Sequence, residues 1–226
     1  MVKSKQTAAS AGTREILLLT GERLIAINGI GTVSLRQINT AAGQRNSSAA
    51  HYHFGSKAAL VDAIFDYRMK RVNLSRRLKL ASIREQTNDH PNPRQLVETF
   101  IAPVVEEIQD TEGGSFYIRF LAQAVGHPHT DTYKFAESRF DAAESAYKQL
   151  KQMAPEIPEP IFGQRFGLMW EMIIHTLADW EYTSELQAST QQISRALSVS
   201  NLIDSATGAL MAPVTASTEA ELKRRS

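Results

Sequence analysis

The chain has 226 residues, enough for one large or two modest domains, and no cysteine, which excludes disulfide staples and thiolate metal ligands. No apolar run is long enough to span a membrane, and the start lacks the charged-then-apolar plan of a secretory signal, so a cytoplasmic protein without a membrane partner is expected. The net charge of +1 conceals an imbalance: residues 1–80 hold 13 Lys+Arg against 4 Asp+Glu, a net +9, and the remainder holds 12 against 20, a net −8.

Residues 1–12 are small and polar and read as a flexible arm. A first helix is expected over Thr13 to Asn28, striped by Leu17, Leu24 and Ile25 and closed by Gly29. Ser34 followed by Gln37 has capping-box spacing and opens a short second helix. Leu35, Ile38 and Ala42 fall on one face of it. Gly43 stands where the chain must turn, and glycine tolerates the positive φ such corners require.

A third helix is expected from about Arg45 to His51, with Arg45, Asn46, Ser47 and Ser48 at its front. These side chains suit base edges and phosphates. Arginine pairs with guanine and asparagine with adenine, each bidentate contact giving roughly 1–3 kcal/mol of discrimination. Ala49 and Ala50 let the backbone lie close to its surroundings. In the run Tyr52-His53-Phe54-Gly55-Ser56-Lys57, Phe54 plugs a small core and Ser56 caps the next helix. The free N–H groups of that helix and the Lys57 ammonium make a phosphate seat.

A basic segment with this order of parts is what a DNA-reading helix-turn-helix needs. It resembles the N-terminal region of the tetracycline-repressor-like family of bacterial regulators, and the helix order resembles that family over nearly the whole chain. The resemblance implies phosphate contacts by Tyr52 and Lys57. The expected DNA-binding set is Ser34, Arg45, Asn46, Ser47, Ser48, His51, Tyr52 and Lys57. The sequence departs from the family pattern in three places. His51 replaces the usual Tyr, Asn39 stands where Ala is preferred, and the stretch from Gly43 to Phe54 is one residue longer.

A long connecting helix is expected from Lys57 to about Ala81, with Arg68, Lys70, Arg71, Arg76 and Arg77 read mostly as a solvated face. The run Asn88 to Pro93 is a breaker cluster. Helices are then expected over Arg94 to Gln109, with a kink at Pro103, Ser115 to Val125, and Thr130 to Met153. Two long ones follow, Ile161 to Tyr182 and Ser189 to Met211. The fold class is therefore all-α: a three-helix helix-turn-helix head over 13–56 on a larger helical body over 57–212, with a tail over 213–226.

The last two long helices carry surplus apolar residues, and the family arrangement implies a homodimer built on them. Gly163, Gly167, Met169, Ile173, Leu177, Ile203 and Leu210 are the expected interface. A two-fold pair places its reading helices about 34–36 Å apart, one turn of a near-palindromic double-stranded operator. The family also implies a pocket for a small-molecule effector that releases DNA. Phe116, Tyr117, Phe120, His127, Trp170 and His175 are the expected lining, with Trp180 a further candidate. His51-x-His53 and His127-x-His129 lack supporting carboxylates, so no metal or other cofactor is expected. Two other readings compete: an enzyme using His127, His129 or His175, and an interaction module whose basic head binds an acidic protein. The first lacks a nucleophile, carboxylate pair or cofactor loop at diagnostic spacing, so the chain is not expected to be an enzyme.

Overall fold

The structure is a computed structural model that describes residues 2–46, 48–108, 115–125, 141–186 and 194–224. Its described residues form ten α-helices and no strand. In chain order these are α1 (Val2–Asn28), α2 (Leu35–Ala41), α3 (Ala49–Phe54), α4 (Lys57–Gln86) and α5 (Pro93–Val105). They continue as α6 (Tyr117–Val125), α7 (Asp141–Gln152), α8 (Glu159–Leu186), α9 (Arg195–Met211) and α10 (Ala216–Arg224). The all-α expectation holds.

Two boundaries differ in an instructive way. The segment read as an arm is the start of α1, which begins at Val2 instead of Thr13. Residues 2–12 contain no proline and several good helix formers, Ala, Lys and Gln. The third helix starts at Ala49, not Arg45. Asn46 Oδ1 accepts the Ser48 N–H at 2.9 Å, a side-chain turn that competes with helix over these residues.

The chain divides into two compact units. The first gathers Met1–Leu74, Glu106–Arg139 and Ile174–Ala188. In it α1 packs on α2, α3 and α6, and α2 packs on α3. Leu17, Leu18, Ile25, Ile38, Leu60 and Ile64 fill its core. Gly21 permits this packing, because a Cβ there would lie 3.0 Å from Leu60 Cδ2.

This unit also buries charge. Arg68, expected on a solvated face, forms a fork to Glu22 at 2.6 and 2.7 Å and reaches Glu107 at 3.3 Å. Arg71 adds a contact to Glu107 at 3.2 Å. Glu22 and Glu107 are buried, and such pairs persist only with good geometry. Burial pushes the Glu22 carboxyl above its ordinary value, with the Arg68 hydrogen bonds and charge opposing it. Burial likewise works against the Arg68 cation, but the bonds and charges of its two carboxylates outweigh it and raise its pKa.

The second unit gathers Ser75–Val105, Phe140–Ile173 and Ser189–Ser226. Here α5 packs on α7 and α9. Asn92 and Gln95 open α5 with a reciprocal capping pair at 3.0 and 2.8 Å. Pro103 lies inside α5 and has no N–H for the Thr99 carbonyl one turn back. Arg76 Nε supplies that hydrogen bond at 3.2 Å. Arg76 is thus a buried partner, 1% exposed, and not part of a solvated face. Its guanidinium also sits over the Phe100 ring. Phe100, Tyr147, Phe162, Phe166 and Trp170 pack edge to face with centroids 4.8–6.5 Å apart. Arg165 closes the end of α9 by donating to the carbonyls of Leu210, Ala212 and Pro213.

Candidate nucleic-acid interface

The helix-turn-helix corner is built almost entirely from backbone satisfaction. At the front of α2, Ser34 Oγ accepts the Gln37 N–H, and Gln37 Oε1 accepts the Ser34 N–H at 2.8 Å. At its end the Gly43 N–H reaches the Thr40 carbonyl and the Gln44 N–H reaches the Asn39 carbonyl, at 3.1 and 3.0 Å. That pair of bonds is a Schellman closure, and Gly43 adopts the φ of +64° it requires. The expected capping box and glycine corner are therefore both present.

Helix α3 has six residues, too few to stand without tertiary support. Ala49, Ala50 and Phe54 are its buried face, and the Arg14 guanidinium lies over the Phe54 ring. Ser48, the residue before the helix, makes no side-chain cap bond. Instead the Ala50 N–H is taken by Asn39 Oδ1 of α2, at 2.8 Å. After α3 the Ser56 N–H turns back to the Phe54 carbonyl at 2.9 Å, with Gly55 between them at φ 73° and ψ −45°. This γ-turn belongs to glycine because a side chain there is strained. Ser56 Oγ then accepts the Ala59 N–H at 3.1 Å and caps α4.

Burial of one face of α3 decides what the other face offers. Ser48, His51 and Tyr52 are exposed at i, i+3 and i+4, hence on one side of the helix. Tyr52 is 81% exposed. Arg45 and Asn46 are also exposed but precede the helix, so they are not on its front as expected. Asn46 spends its side-chain oxygen on the Ser48 N–H. Ser47 lies outside the described residues. Ser34 is exposed and engaged with Gln37. Lys57 Nζ donates to the Ile30 carbonyl at 2.8 Å, tying the start of α4 to the turn after α1. An ammonium has three N–H groups, so this bond does not exhaust it.

The residues of the expected effector lining are distributed over both units. Tyr117 and Phe120 are buried and stacked on each other at 6.5 Å in the first unit. Phe116 there is flanked by the Arg23 and Arg119 guanidinium groups. His175 is exposed, Trp180 is half-buried, and both belong to the first unit. Trp170 belongs to the aromatic cluster of the second. His127 and His129 lie outside the described residues. The expected dimer residues also part company. Met169, Ile173, Leu177, Ile203 and Leu210 are buried within the single chain, where a partner adds no burial. Gly163 and Gly167 are exposed.

Sequence reasoning passed over Asn39, noting it only as a departure, and missed Glu181. Glu181 is 1% exposed and accepts the N–H groups of Ile118 and Arg119 at 3.2 and 2.8 Å. It thereby caps α6 from α8, with Arg119 Nε 3.4 Å away. No local spacing signals either role, since each partner lies far along the chain.

A short helix with one buried and one exposed face, set on a closed glycine corner in a basic segment, defines a helix-turn-helix DNA-binding protein. Residues 98–209 match the family model described as tetracyclin repressor-like, C-terminal domain. The chain belongs to the tetracycline-repressor-like family of DNA-binding transcription regulators. Among solved structures, that of AibR in complex with isovaleryl coenzyme A and operator DNA is similar in fold. Identity is 19%, the TM-score is 0.51, and the match covers 89% of this chain and 100% of that one. No curated protein matches the chain. Among the described residues no helix is long and apolar enough to cross a membrane.

Proposed function

We propose that this chain is a homodimeric repressor that binds a near-palindromic operator and leaves it when a small molecule occupies the body. It acts in the cytoplasm, where its duplex target lies, and performs no catalysis. The observation that carries the DNA-reading assignment is the exposed Ser48–His51–Tyr52 side of α3, backed by buried Ala49, Ala50 and Phe54. Arg45 reads a base edge from the turn ahead of α3, and Tyr52 and Lys57 hold phosphates. The fold is shared with AibR, which was solved with isovaleryl coenzyme A and operator DNA, and this favours an effector-released regulator over a helical enzyme.

The dimer seam in this reading uses the exposed side of α8 and α9. Gly163, Gly167 and Leu168 are all exposed on α8, Leu168 at 63%. Leu197, 59% exposed, and Gly208 supply the like on α9. Small residues permit close approach and the leucines supply apolar area.

Selection of bound sequences from random duplexes tests the reading. The expected product is a near-palindrome bound in a salt-sensitive way. Arg45→Ala relaxes preference at one position of each half-site. Lys57→Ala weakens all duplexes about equally and lowers the salt slope by roughly one unit. Recovery of no enriched sequence, or two variants indistinguishable from wild type, contradicts the assignment.

A further inference from the structure

We infer that Asn39 is a positioning residue for sequence reading: from α2 it caps α3, and so fixes the rotation at which α3 enters the groove. The inference rests on the DNA-reading assignment above and deepens it.

A six-residue helix has few bonds to hold its own axis, so what meets its first N–H groups sets its direction. The residue in the capping position, Ser48, does not bond them with its side chain. The Ala49 N–H goes to the Asn46 carbonyl at 3.1 Å, and the Ser48 N–H to Asn46 Oδ1 at 2.9 Å. Those bonds are local and travel with the turn. The Ala50 N–H goes to Asn39 Oδ1, eleven residues back and on the other helix of the motif. Asn39 is 2% exposed, and its own carbonyl holds the Gln44 N–H of the corner. One residue therefore closes α2 with its backbone and opens α3 with its side chain.

The consequence concerns phase. The Asn46 turn lies between the glycine corner and Ala49, so it sets where α3 begins. Buried Ala49, Ala50 and Phe54 restrain α3 sideways, but small alanines grip weakly. The Asn39 bond is directional and pins the helix start, which orients Ser48 and His51. Losing it exposes a buried N–H and frees the helix to turn, which misplaces base contacts. Phosphate contacts, being long-ranged, suffer less.

The test compares wild type, Asn39→Ala and Asn39→Asp for binding to the selected operator and to a scrambled duplex at fixed salt. Asn39→Ala is expected to lower the operator-to-scrambled affinity ratio roughly tenfold, the factor that about 1.4 kcal/mol carries. Its salt slope stays that of wild type. Asn39→Asp keeps an oxygen acceptor. Its added negative charge lowers affinity for both duplexes alike, so the ratio stays near wild type. Amide exchange at Ala50 is expected to quicken in the alanine variant and not in the aspartate variant. A wild-type ratio in Asn39→Ala, or an equal loss in Asn39→Asp, overturns the inference. A wild-type protein that shows no operator preference overturns the DNA-reading assignment itself.

Discussion

Helices α3 and α6 are both short, and both borrow an N-terminal cap from a distant part of the first unit, but with opposite chemistry. At α3 the cap is the neutral amide of Asn39, taking one N–H. At α6 it is the buried carboxylate of Glu181, taking two N–H groups with Arg119 beside it. A carboxylate at a helix start gains from the helix dipole, and a charge-assisted bond is roughly twice as strong as a neutral one. The stronger device therefore belongs to α6. A helix facing phosphates is better served by an amide, because a carboxylate there repels the partner. Strength of anchoring and tolerance of an anionic ligand are thus traded against each other in one unit.

The largest expected effect in this comparison comes from Glu181→Ala. It strips two N–H groups of their acceptor and takes the carboxylate from beside Arg119, which costs about 3–5 kcal/mol in urea denaturation. Loss of under 1 kcal/mol in that experiment would mean that α6 is held otherwise. A smaller effect is expected at the exit of α3. Gly55→Ala puts a side chain at φ +73°, with open space around its Cβ, so conformational strain alone costs about 1–3 kcal/mol. Operator binding falls with it, because the same turn sets where Lys57 begins α4.

The smallest effect concerns pH and the charges near α6. Glu22 is buried with Arg68, and Glu107 and Glu181 both push its carboxyl upward, after burial itself. Its folded pKa therefore lies above the 4.5 of a free glutamate. Between those two values the native state holds more protons than the unfolded chain, so stability falls as pH rises through that window. Urea midpoints measured across it are expected to decline in wild type and to decline less in Glu22→Gln. An identical slope in both would show that Glu22 does not titrate as its burial implies.

What could be read in the sequence follows the same division between near and far. Ser34 with Gln37, Gly43 and Ser56 were legible because their partners lie within a few residues and the spacing announces the bond. The basic surplus of residues 1–80 was legible from counting. Asn39, Glu181 and Arg76 were not, since each bonds a group that only folding brings near. Arg68 and Arg76 looked like surface cations for the same reason: nothing local marks Glu22, or the carbonyl that Pro103 leaves open, as their destinations. The start of α3 was misjudged because Asn46 offers its backbone a turn that competes with helix. The apolar residues of α8 and α9 showed that something is buried there. They did not show that one chain buries them alone, leaving Gly163, Gly167 and Leu168 exposed.

The most direct measurement of the central claim is hydrogen exchange on the intact protein with and without its selected operator duplex. Slowed exchange concentrated in residues 34–57, with α3 and the start of α4 most affected, is the predicted result. Unchanged exchange over those residues in a saturated complex, with protection appearing only in the second unit, would contradict it.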